Sequence, residues 1–183
     1  MRVLKFGGTS VGSVESLTNV KKIVENINEP VVVVVSALGG ITDRLIRTSQ
    51  LAVAGDDNYR NEFDAMVDRH HGIIDAVIPA GAAHDTLKAK VDALLDELRS
   101  IYHGVYLIRD MTQKTANVIV SYGERMSSQI VSAFIEGSQC YDSREFIKTV
   151  RKQNRNLVDF DVTIRLVIQT FARMPRIAVV PGF

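Results

Sequence analysis

Five consecutive valines, Val31–Val35, constrain the fold of this chain more than any other stretch. An apolar run without alternation predicts a strand that is buried on both faces, as the strands of parallel sheets are. A shorter apolar run at residues 3–6 predicts an earlier buried strand that ends at Phe6. Between the two, apolar residues recur with the period of a helix, at Val14, Leu17, Val20, Ile23, Val24 and Ile27. This β-α-β unit predicts a right-handed crossover onto a mainly parallel sheet, and therefore an α/β fold.

The first strand ends in a sequence with the chemistry of an anion site. Lys5 is its second-last residue, and the strand is followed by two glycines and two hydroxyl residues, Gly7, Gly8, Thr9 and Ser10. The glycines can take positive φ and let their N–H groups approach an anion closely, while Lys5 supplies a compact positive charge. With the N-terminus of the next helix, these groups predict a phosphate site. The alternative is an ordinary strand-to-helix turn, with Lys5 extending into solvent from an edge strand.

The second strand is followed by a similar loop. The strand stops at Ser36, and Gly39 and Gly40 make the next turn flexible. Either Thr42 or Asp43 is predicted to cap the helix that follows. Ligands of open α/β sheets bind in the crevice beyond the carboxyl ends of the strands. The loops at residues 5–10 and 36–42 both fall there, so we expect them to share one crevice.

Two amphipathic helices are predicted next, and they form a helical hairpin over about residues 58–103. Residues 79–81 separate the two helices, and a glycine at position 104 ends the second. The hairpin carries no catalytic cluster. His70 and His71 are adjacent on a helix and point about 100° apart, so they cannot share a metal ion. With His84 and His103, which lie near helix ends, they are interpreted as structural.

A polar motif at residues 121–128 precedes another apolar helical pattern. Gly123 is predicted to separate two helices, which puts Glu124 near a helix start. There the carboxylate either caps the helix, stabilised by the helix dipole, or binds the ammonium group of a ligand. From this segment alone the capping interpretation is favoured.

The last part of the chain is predicted to add three elements. A short strand is expected at residues 140–142, a helix capped by Asp159 or Asp161 follows, and residues 177–180 form another strand. A Pro-Gly-Phe sequence follows that strand directly, so we expect the chain to be a fragment cut at a turn.

Composition excludes several classes of function. Lys and Arg number 22 against 21 Asp and Glu, so no overall field favours nucleic acid or an acidic membrane. A basic cluster without aromatic residues indicates a solvated face or loop, at Lys148, Arg151, Lys152 and Arg155. A single cysteine excludes an internal disulfide and a cysteine-rich metal site. No signal peptide or membrane span is predicted, and a cytoplasmic protein is expected.

Four motifs, in order and spread over almost the whole chain, are similar to those of the aspartate kinases, a family of the amino acid kinase superfamily. They are Lys5-Phe-Gly-Gly-Thr-Ser10, Ser36-Ala-Leu-Gly-Gly-Ile-Thr42, Tyr122-Gly-Glu-Arg-Met-Ser127 and Asp142-Ser-Arg144. The opening residues most resemble those of bifunctional aspartokinase–homoserine dehydrogenases. The resemblance implies a three-layer α/β/α, carbamate kinase-like fold. Residues 1–183 would be the N-terminal part of the kinase domain, incomplete at its C-terminal end.

The resemblance also implies a reaction. Aspartate kinases transfer the ATP γ-phosphate to the side-chain carboxylate of L-aspartate, which gives 4-phospho-L-aspartate for lysine, threonine and methionine biosynthesis. Lys5 is assigned to catalysis and phosphate contact. The remaining ATP and phosphate positions are Gly7, Gly8, Thr9, Ser10 and Ser36. Thr42 and Glu124 match the aspartate-binding positions. With the substrate ammonium as its partner, Glu124 would bind a ligand and would not act as a helix cap.

Further parts of the site are expected outside this chain. The family continues beyond Phe183 into a glycine-rich segment with an arginine and an aspartate. The ligands of Mg²⁺ are expected outside this chain. The isolated chain is therefore expected to be inactive. Its sequence also contains no P-loop or Rossmann motif, which argues against a nucleotide site of either kind. The full-length protein is expected to be a homo-oligomer that binds L-aspartate and ATP. The alternatives are a non-catalytic amino acid-binding, anion-binding or dimerisation module, or another amino acid kinase.

Overall fold

The computed structural model of the chain describes residues 1–152 and 155–183. In chain order, its strands are β1 (Arg2–Phe6), β2 (Val31–Val35), β3 (Ser138–Cys140), β4 (Thr149–Lys152), β5 (Arg155–Val158) and β6 (Ile177–Pro181). Its α-helices are α1 (Val14–Glu25), α2 (Ile41–Ala54), α3 (Tyr59–Val77), α4 (Ala82–Ile108), α5 (Gln113–Phe134), α6 (Ser143–Phe146) and α7 (Phe160–Thr170). A 3-10 turn (Gly8–Val11) connects β1 to α1.

The main sheet is parallel, with strand order β1-β2-β6-β3, as the β-α-β pattern predicts. The central strands are buried, and the side chains of Val31, Val33 and Val35 have no exposed surface. The prediction of a buried first strand is wrong. Within the described residues β1 pairs on one side only, with β2, so Val3 is 64% exposed and Lys5 is also exposed.

Helices cover both faces of this sheet. In the strand order β1-β2-β6-β3, the connections from β1 to β2 and from β2 to β3 both run across the sheet toward β3. Right-handed crossovers therefore place α1 and α5 on the same face of the sheet. The Lys21 ammonium of α1 accordingly donates to the Phe134 carbonyl at the end of α5, at 2.6 Å. The connection from β3 back to β6 puts α7 on the other face, beside which the Phe171 ring contacts Tyr141 and Phe146. The three-layer α/β/α prediction is confirmed.

The helical hairpin lies where the sequence predicts it, as α3 and α4. The second helix does not end at Gly104, however, but continues to Ile108. The apolar pattern extends through the buried Val105, and the helix ends where Arg109 takes the left-handed conformation, with φ 56°. The Tyr102 hydroxyl donates to the Leu45 carbonyl at 2.9 Å and joins the hairpin to α2. No helix in the described ranges has the length and apolar character that a membrane span requires.

The predicted cap is confirmed for α7 but not for α2. Ser13 begins α1 in a capping box with Ser16. The side chain of Asp159 begins α7, because it accepts a hydrogen bond from the Val162 N–H. Neither Thr42 nor Asp43 caps α2, since the helix starts earlier, after Gly40 with φ 82°.

The remaining elements refine the predictions for the second half of the chain. The strand expected at residues 140–142 ends earlier, as β3, because the Asp142 carboxylate accepts from the Arg144 N–H and begins α6. The basic cluster lies in and beside the antiparallel pair β4 and β5. Lys148, Arg151 and Arg155 are exposed, as a solvated face requires. The side chain of Lys152, with residues 153 and 154, lies outside what the structure describes.

Candidate functional site

The first two strands bring Lys5 and Ser36 together at the carboxyl edge of the sheet. The parallel register places Phe6 opposite Val35, and the Ser36 N–H donates to the Phe6 carbonyl at 3.0 Å. The Lys5 Nζ donates to Ser36 Oγ at 2.9 Å. Lys5 therefore stands on an exposed edge strand, as one alternative has it. Its ammonium group nevertheless lies beside the second loop at the carboxyl edge of the sheet, as the phosphate alternative requires.

The glycine turn after β1 works differently from the prediction. Neither Gly7 nor Gly8 has positive φ, and Gly7 is extended, with φ −75° and ψ 171°. Gly8 instead lies against the second loop, where an added Cβ would stand 3.0 Å from the Ala37 carbonyl oxygen. A Cβ on Gly7 would meet no atom within 4 Å. The turn thus leaves open space at Gly7, followed by Thr9, which is exposed, and Ser10, which is half-buried.

The second loop ends in a helix N-terminus without a side-chain cap. Gly40 takes the left-handed conformation, and no side chain accepts from the first amides of α2. Because the helix dipole favours negative charge at a helix N-terminus, this terminus adds to the anion-binding character of the edge. Thr42 is half-buried in its first turn. Sequence reasoning missed this feature, although the Gly39-Gly40 pair directly before a helical pattern was its signal.

Glu124 lies in the middle of a continuous helix, so the predicted break at Gly123 is wrong. Helix α5 runs through this position without interruption, which also rules out the capping interpretation for Glu124. Position 123 requires glycine for a different reason, because a Cβ there would lie 2.7 Å from the Ala37 Cβ and 3.2 Å from a Leu45 methyl carbon. The missing side chain lets α5 pack directly against the loop after β2. Glu124 therefore lies beside that loop.

The Glu124 carboxyl group is buried and incompletely paired. The residue is 9% exposed, and its Oε2 has no hydrogen-bond partner among the described residues. Burial raises the pKa of Glu124, while its own N–H, the Ala37 N–H and the positive charge of Lys5 partly offset the rise. A buried acid with one oxygen unpaired among the described residues, within electrostatic range of Lys5, has the chemistry to accept a cationic group of a ligand.

Ser127 is a further residue of the site that the sequence analysis did not single out. Its hydroxyl is fully buried and donates to the Ser36 carbonyl at 2.7 Å, and also to the Glu124 carbonyl at 3.2 Å. It thereby joins α5 to the loop after β2 one turn beyond Glu124. The only sequence signal was its place in the same motif, three residues after Glu124.

The structure thus collects the predicted site residues at one edge of the sheet. Lys5, Ser36 and Glu124 converge around the start of the second loop, and the glycine turn and the first turn of α2 adjoin it. Within residues 1–152 and 155–183, no group of three or more His, Cys, Asp or Glu side chains is arranged to hold a metal ion. The predicted structural histidines are engaged elsewhere, with His71 at 2.6 Å from Asp92 and His84 at 2.8 Å from Asp75.

Comparison with known proteins shows to which family the chain belongs. The model of the amino acid kinase family matches residues 1–183. The chain belongs to the amino acid kinase family. Among its relatives, it is 31% identical over 163 residues to a bifunctional aspartokinase/homoserine dehydrogenase of Daucus carota, covering 86% of this chain and 17% of that protein. It is 24% identical over 195 residues to aspartokinase 1 of Arabidopsis thaliana, covering 99% of this chain and 33% of that one.

Solved structures show the same fold. Aspartokinase III of E. coli, in complex with lysine and aspartate, superposes with a TM-score of 0.84 at 21% identity, covering 99% of this chain and 40% of that chain. The same enzyme with aspartate and ADP gives a TM-score of 0.84 at 22% identity, covering 100% and 40%. This member of the amino acid kinase family therefore spans less than half the length of the aspartokinases that it matches.

Proposed function

We propose that the full-length protein is an aspartate kinase, which transfers the γ-phosphoryl group of ATP to the side-chain carboxylate of L-aspartate. The observation that carries the proposal is the convergence of the Lys5 ammonium and the Glu124 carboxyl on the Ser36–Ala37 segment. The homology to aspartokinases supports the choice of substrate, and so does a structural neighbour that binds aspartate and ADP. The product would be 4-phospho-L-aspartate, the first intermediate of lysine, threonine and methionine biosynthesis.

The chemistry of this reaction fits a site without a general base. A carboxylate is already a nucleophile at neutral pH, so catalysis depends on alignment and on neutralising charge around the moving phosphoryl group. Lys5 provides a positive charge at the crevice, hydrogen-bonded to Ser36. The open face of Gly7, with Gly8, Thr9 and Ser10, and the uncapped start of α2 would contact the phosphates.

Glu124 and Thr42 would bind the amino acid. The α-ammonium group of L-aspartate is a cation. The Oε2 of Glu124, which has no partner in the described part of the chain, is an acceptor that burial has removed from water. Pairing the two would stabilise the ionised form of Glu124 and orient the substrate with its side-chain carboxylate toward Lys5. Thr42 lies in the adjoining first turn of α2, where a hydroxyl can bind a carboxylate.

Mg²⁺ would neutralise the phosphate oxygens of ATP when bound. Because the described residues contain no acidic cluster arranged for a metal ion, we expect its ligands from the part of the relatives' length that this chain does not span. We expect the same of the groups that hold the substrate α-carboxylate. The isolated chain is therefore proposed to lack kinase activity, and the full-length protein is proposed to be a homo-oligomer.

The test is to trap the product chemically. Full-length protein is incubated with ATP, Mg²⁺, L-aspartate and hydroxylamine, which converts an acyl phosphate to a stable hydroxamate. We expect aspartyl hydroxamate and an equal amount of ADP, and neither product from residues 1–183 alone. Hydroxamate formed with another acidic amino acid but not with aspartate would indicate another amino acid kinase. Binding of L-aspartate without ADP formation would indicate a non-catalytic module.

A further inference from the structure

The peptide group between Ser36 and Ala37 is held at both of its ends by helix α5. The Ser127 hydroxyl donates to the Ser36 carbonyl at 2.7 Å. The Ala37 N–H, at the other end of the same peptide bond, hydrogen-bonds the Glu124 carboxyl group. Ser127 and Glu124 stand three residues apart in α5 and therefore lie on the same face of the helix. Two side chains of one helix thus contact a single peptide group of the loop after β2.

A planar peptide group transmits the orientation of one end to the other. The C=O and N–H of a trans peptide point in opposite directions and turn together, because the C–N bond between them has partial double-bond character. A hydrogen bond that fixes the Ser36 carbonyl therefore also fixes the direction of the Ala37 N–H. If this peptide group rotated, the N–H would turn away from the Glu124 carboxyl.

The Ser127 hydroxyl is placed to make this bond and is shielded from water. Its side chain has no exposed surface, and its distance to the Ser36 carbonyl is shorter than the 3.2 Å to the Glu124 carbonyl of its own helix. A hydroxyl has one proton, so the shorter contact with the loop is the main one. The neighbouring Ser128 is also buried, but its hydroxyl donates to the Arg125 carbonyl within α5 at 2.9 Å.

The other polar groups of Ser36 are fixed by β1 and not by α5. Its N–H donates to the Phe6 carbonyl at 3.0 Å, and its Oγ accepts from the Lys5 Nζ at 2.9 Å. The carbonyl of Ser36 is therefore the group through which α5 is attached to this residue. Loss of the Ser127 hydroxyl would leave Lys5 in place and would act on the Glu124 side of the site.

We propose that Ser127 is a positioning residue for the amino acid substrate: its hydroxyl orients the Ser36–Ala37 peptide group so that the Ala37 N–H holds the Glu124 carboxylate in the direction that receives the substrate ammonium. This inference rests on the proposed kinase function. Ser127 acts through Glu124, whose Oε2 has no partner among the described residues and is the oxygen left for the ligand. Without the hydroxyl, the carboxylate would lose a donor that fixes its direction and favours its ionised form.

The test compares two serine variants of the full-length protein. Ser127→Ala removes the hydroxyl, and Ser128→Ala, in the same helix and similarly buried, is the matched control. For Ser127→Ala we expect a KM for L-aspartate raised on the order of tenfold, because small displacements at a binding group have large effects. The KM for ATP should change little, since the register of β1 and β2 holds Lys5 beside Ser36. Ser128→Ala should match wild type.

The pH dependence of kcat/KM for L-aspartate separates positioning from a loss of folded protein. Glu124 binds a cation in its ionised form, so kcat/KM should fall on the acidic side as this group takes up a proton. Loss of the Ala37 N–H bond raises the pKa of Glu124 further, while the positive charge of Lys5 still acts on it. The acidic limb of the profile should therefore move to higher pH in Ser127→Ala. A variant that only folded less well would keep the limb of wild type.

A KM for L-aspartate and an acidic limb that both match wild type in Ser127→Ala would overturn the proposal, whatever the effect on kcat. If this variant does not fold, Ser127→Thr and Ser127→Val are compared, because their side chains have the same shape and differ in the hydroxyl. A lower KM for L-aspartate in the threonine variant would support the proposal, and equal values would overturn it. A wild-type protein without L-aspartate-dependent ADP formation would instead overturn the proposed function, so the two failures are distinct.

Discussion

Of the proposed substrate-binding residues, Glu124 has the least favourable environment for its charged form. It is buried, its Oε2 has no partner among the described residues, and Lys5 offsets only part of the effect of burial on its pKa. The folded protein without ligand therefore binds a proton at Glu124 more tightly than the unfolded chain does. It follows that ionised Glu124 destabilises the ligand-free fold, and that binding a cation there would relieve the penalty.

Glu124→Gln is expected to stabilise the ligand-free full-length protein at neutral pH. Because the folded-state pKa of Glu124 is raised above its ordinary value of 4.5, the stability that its neutral form confers is present below 4.5 and lost as pH rises through the raised pKa. The variant should thus have a higher Tm than wild type at pH 7, and the difference should shrink as pH falls toward 4. Thermal unfolding across this pH range measures it.

The control for this prediction is the exposed Glu136, which has no comparable burial. Glu136→Gln should leave the pH dependence of the Tm unchanged. A Glu124→Gln variant that is less stable than wild type at neutral pH would mean that the ionised carboxylate is stabilised in the fold. That result would contradict the environment described here.

At the scale of single residues, the sequence predicted chemistry better than conformation. Lys5 and Ser36 could be identified because a charged or hydroxyl residue at the end of an apolar strand is a local signal. The acid Glu124 was found, but its place in the middle of a helix was not. The positive φ expected of Gly7 and Gly8 was wrong, because the need for Gly8 comes from Ala37, 29 positions away in a loop.

Among the elements, α5 shows most clearly why a local pattern can mislead. A glycine inside a helical pattern suggests a break, since glycine destabilises helix interiors. Here Gly123 costs helix stability but allows α5 to approach Ala37, and the helix carries Glu124 and Ser127 to the loop after β2. The contact joins residues far apart in the chain, so no window of sequence could reveal it.

Gly123→Ala is expected to displace α5 from the loop. The new methyl group would overlap Ala37 and crowd Leu45, and overpacking of this kind destabilises by about 1–3 kcal/mol. Because Glu124 moves with the helix, the KM for L-aspartate should rise more than the KM for ATP. Denaturant unfolding and steady-state kinetics of the full-length variant measure the two effects.

Gly104→Ala is the matched control in another helix. A Cβ there meets no atom within 4 Å, so alanine should stabilise α4 by about 0.5–1 kcal/mol and leave both KM values unchanged. Equal behaviour of the two variants would mean that the packing of Gly123 against Ala37 has no effect on the site.

For the molecule as a whole, the fold class and the helical hairpin follow from the sequence, but the arrangement of strands does not. The period of the apolar residues is local and predicts α1, β2 and the hairpin well. The order β1-β2-β6-β3 depends on pairing between distant segments, so it could not be derived, and the edge position of β1 was only one of two alternatives. The hairpin helix α3 also buries a histidine, His70.

His70 is expected to limit stability in acid. Its Nδ1 lies 2.7 Å from the Met66 carbonyl, while its Nε2 is buried without a partner in the described structure. Burial lowers the pKa of His70 from 6.5 to about 4, so the stability that its neutral form confers is present above pH 6.5 and lost as pH falls toward 4. The pKa difference corresponds to about 3 kcal/mol.

His70→Leu should weaken this acid dependence. The measurement is the free energy of unfolding between pH 7 and pH 4, which should fall less steeply in the variant than in wild type. The exposed His103 provides the control, and His103→Gln should keep the wild-type slope. An unchanged slope in His70→Leu would show that other groups dominate the loss of stability in acid.

The central claim is that Lys5 and Glu124 open onto one cleft in which phosphoryl transfer takes place. The rate of L-aspartate-dependent ADP formation by full-length Lys5→Ala tests it most directly. Removing the charge that hydrogen-bonds Ser36 should lower kcat on the order of 10²–10³-fold with an unchanged Tm. The exposed Lys22→Ala is the control and should retain wild-type activity. A Lys5→Ala variant with near wild-type kcat would contradict the account.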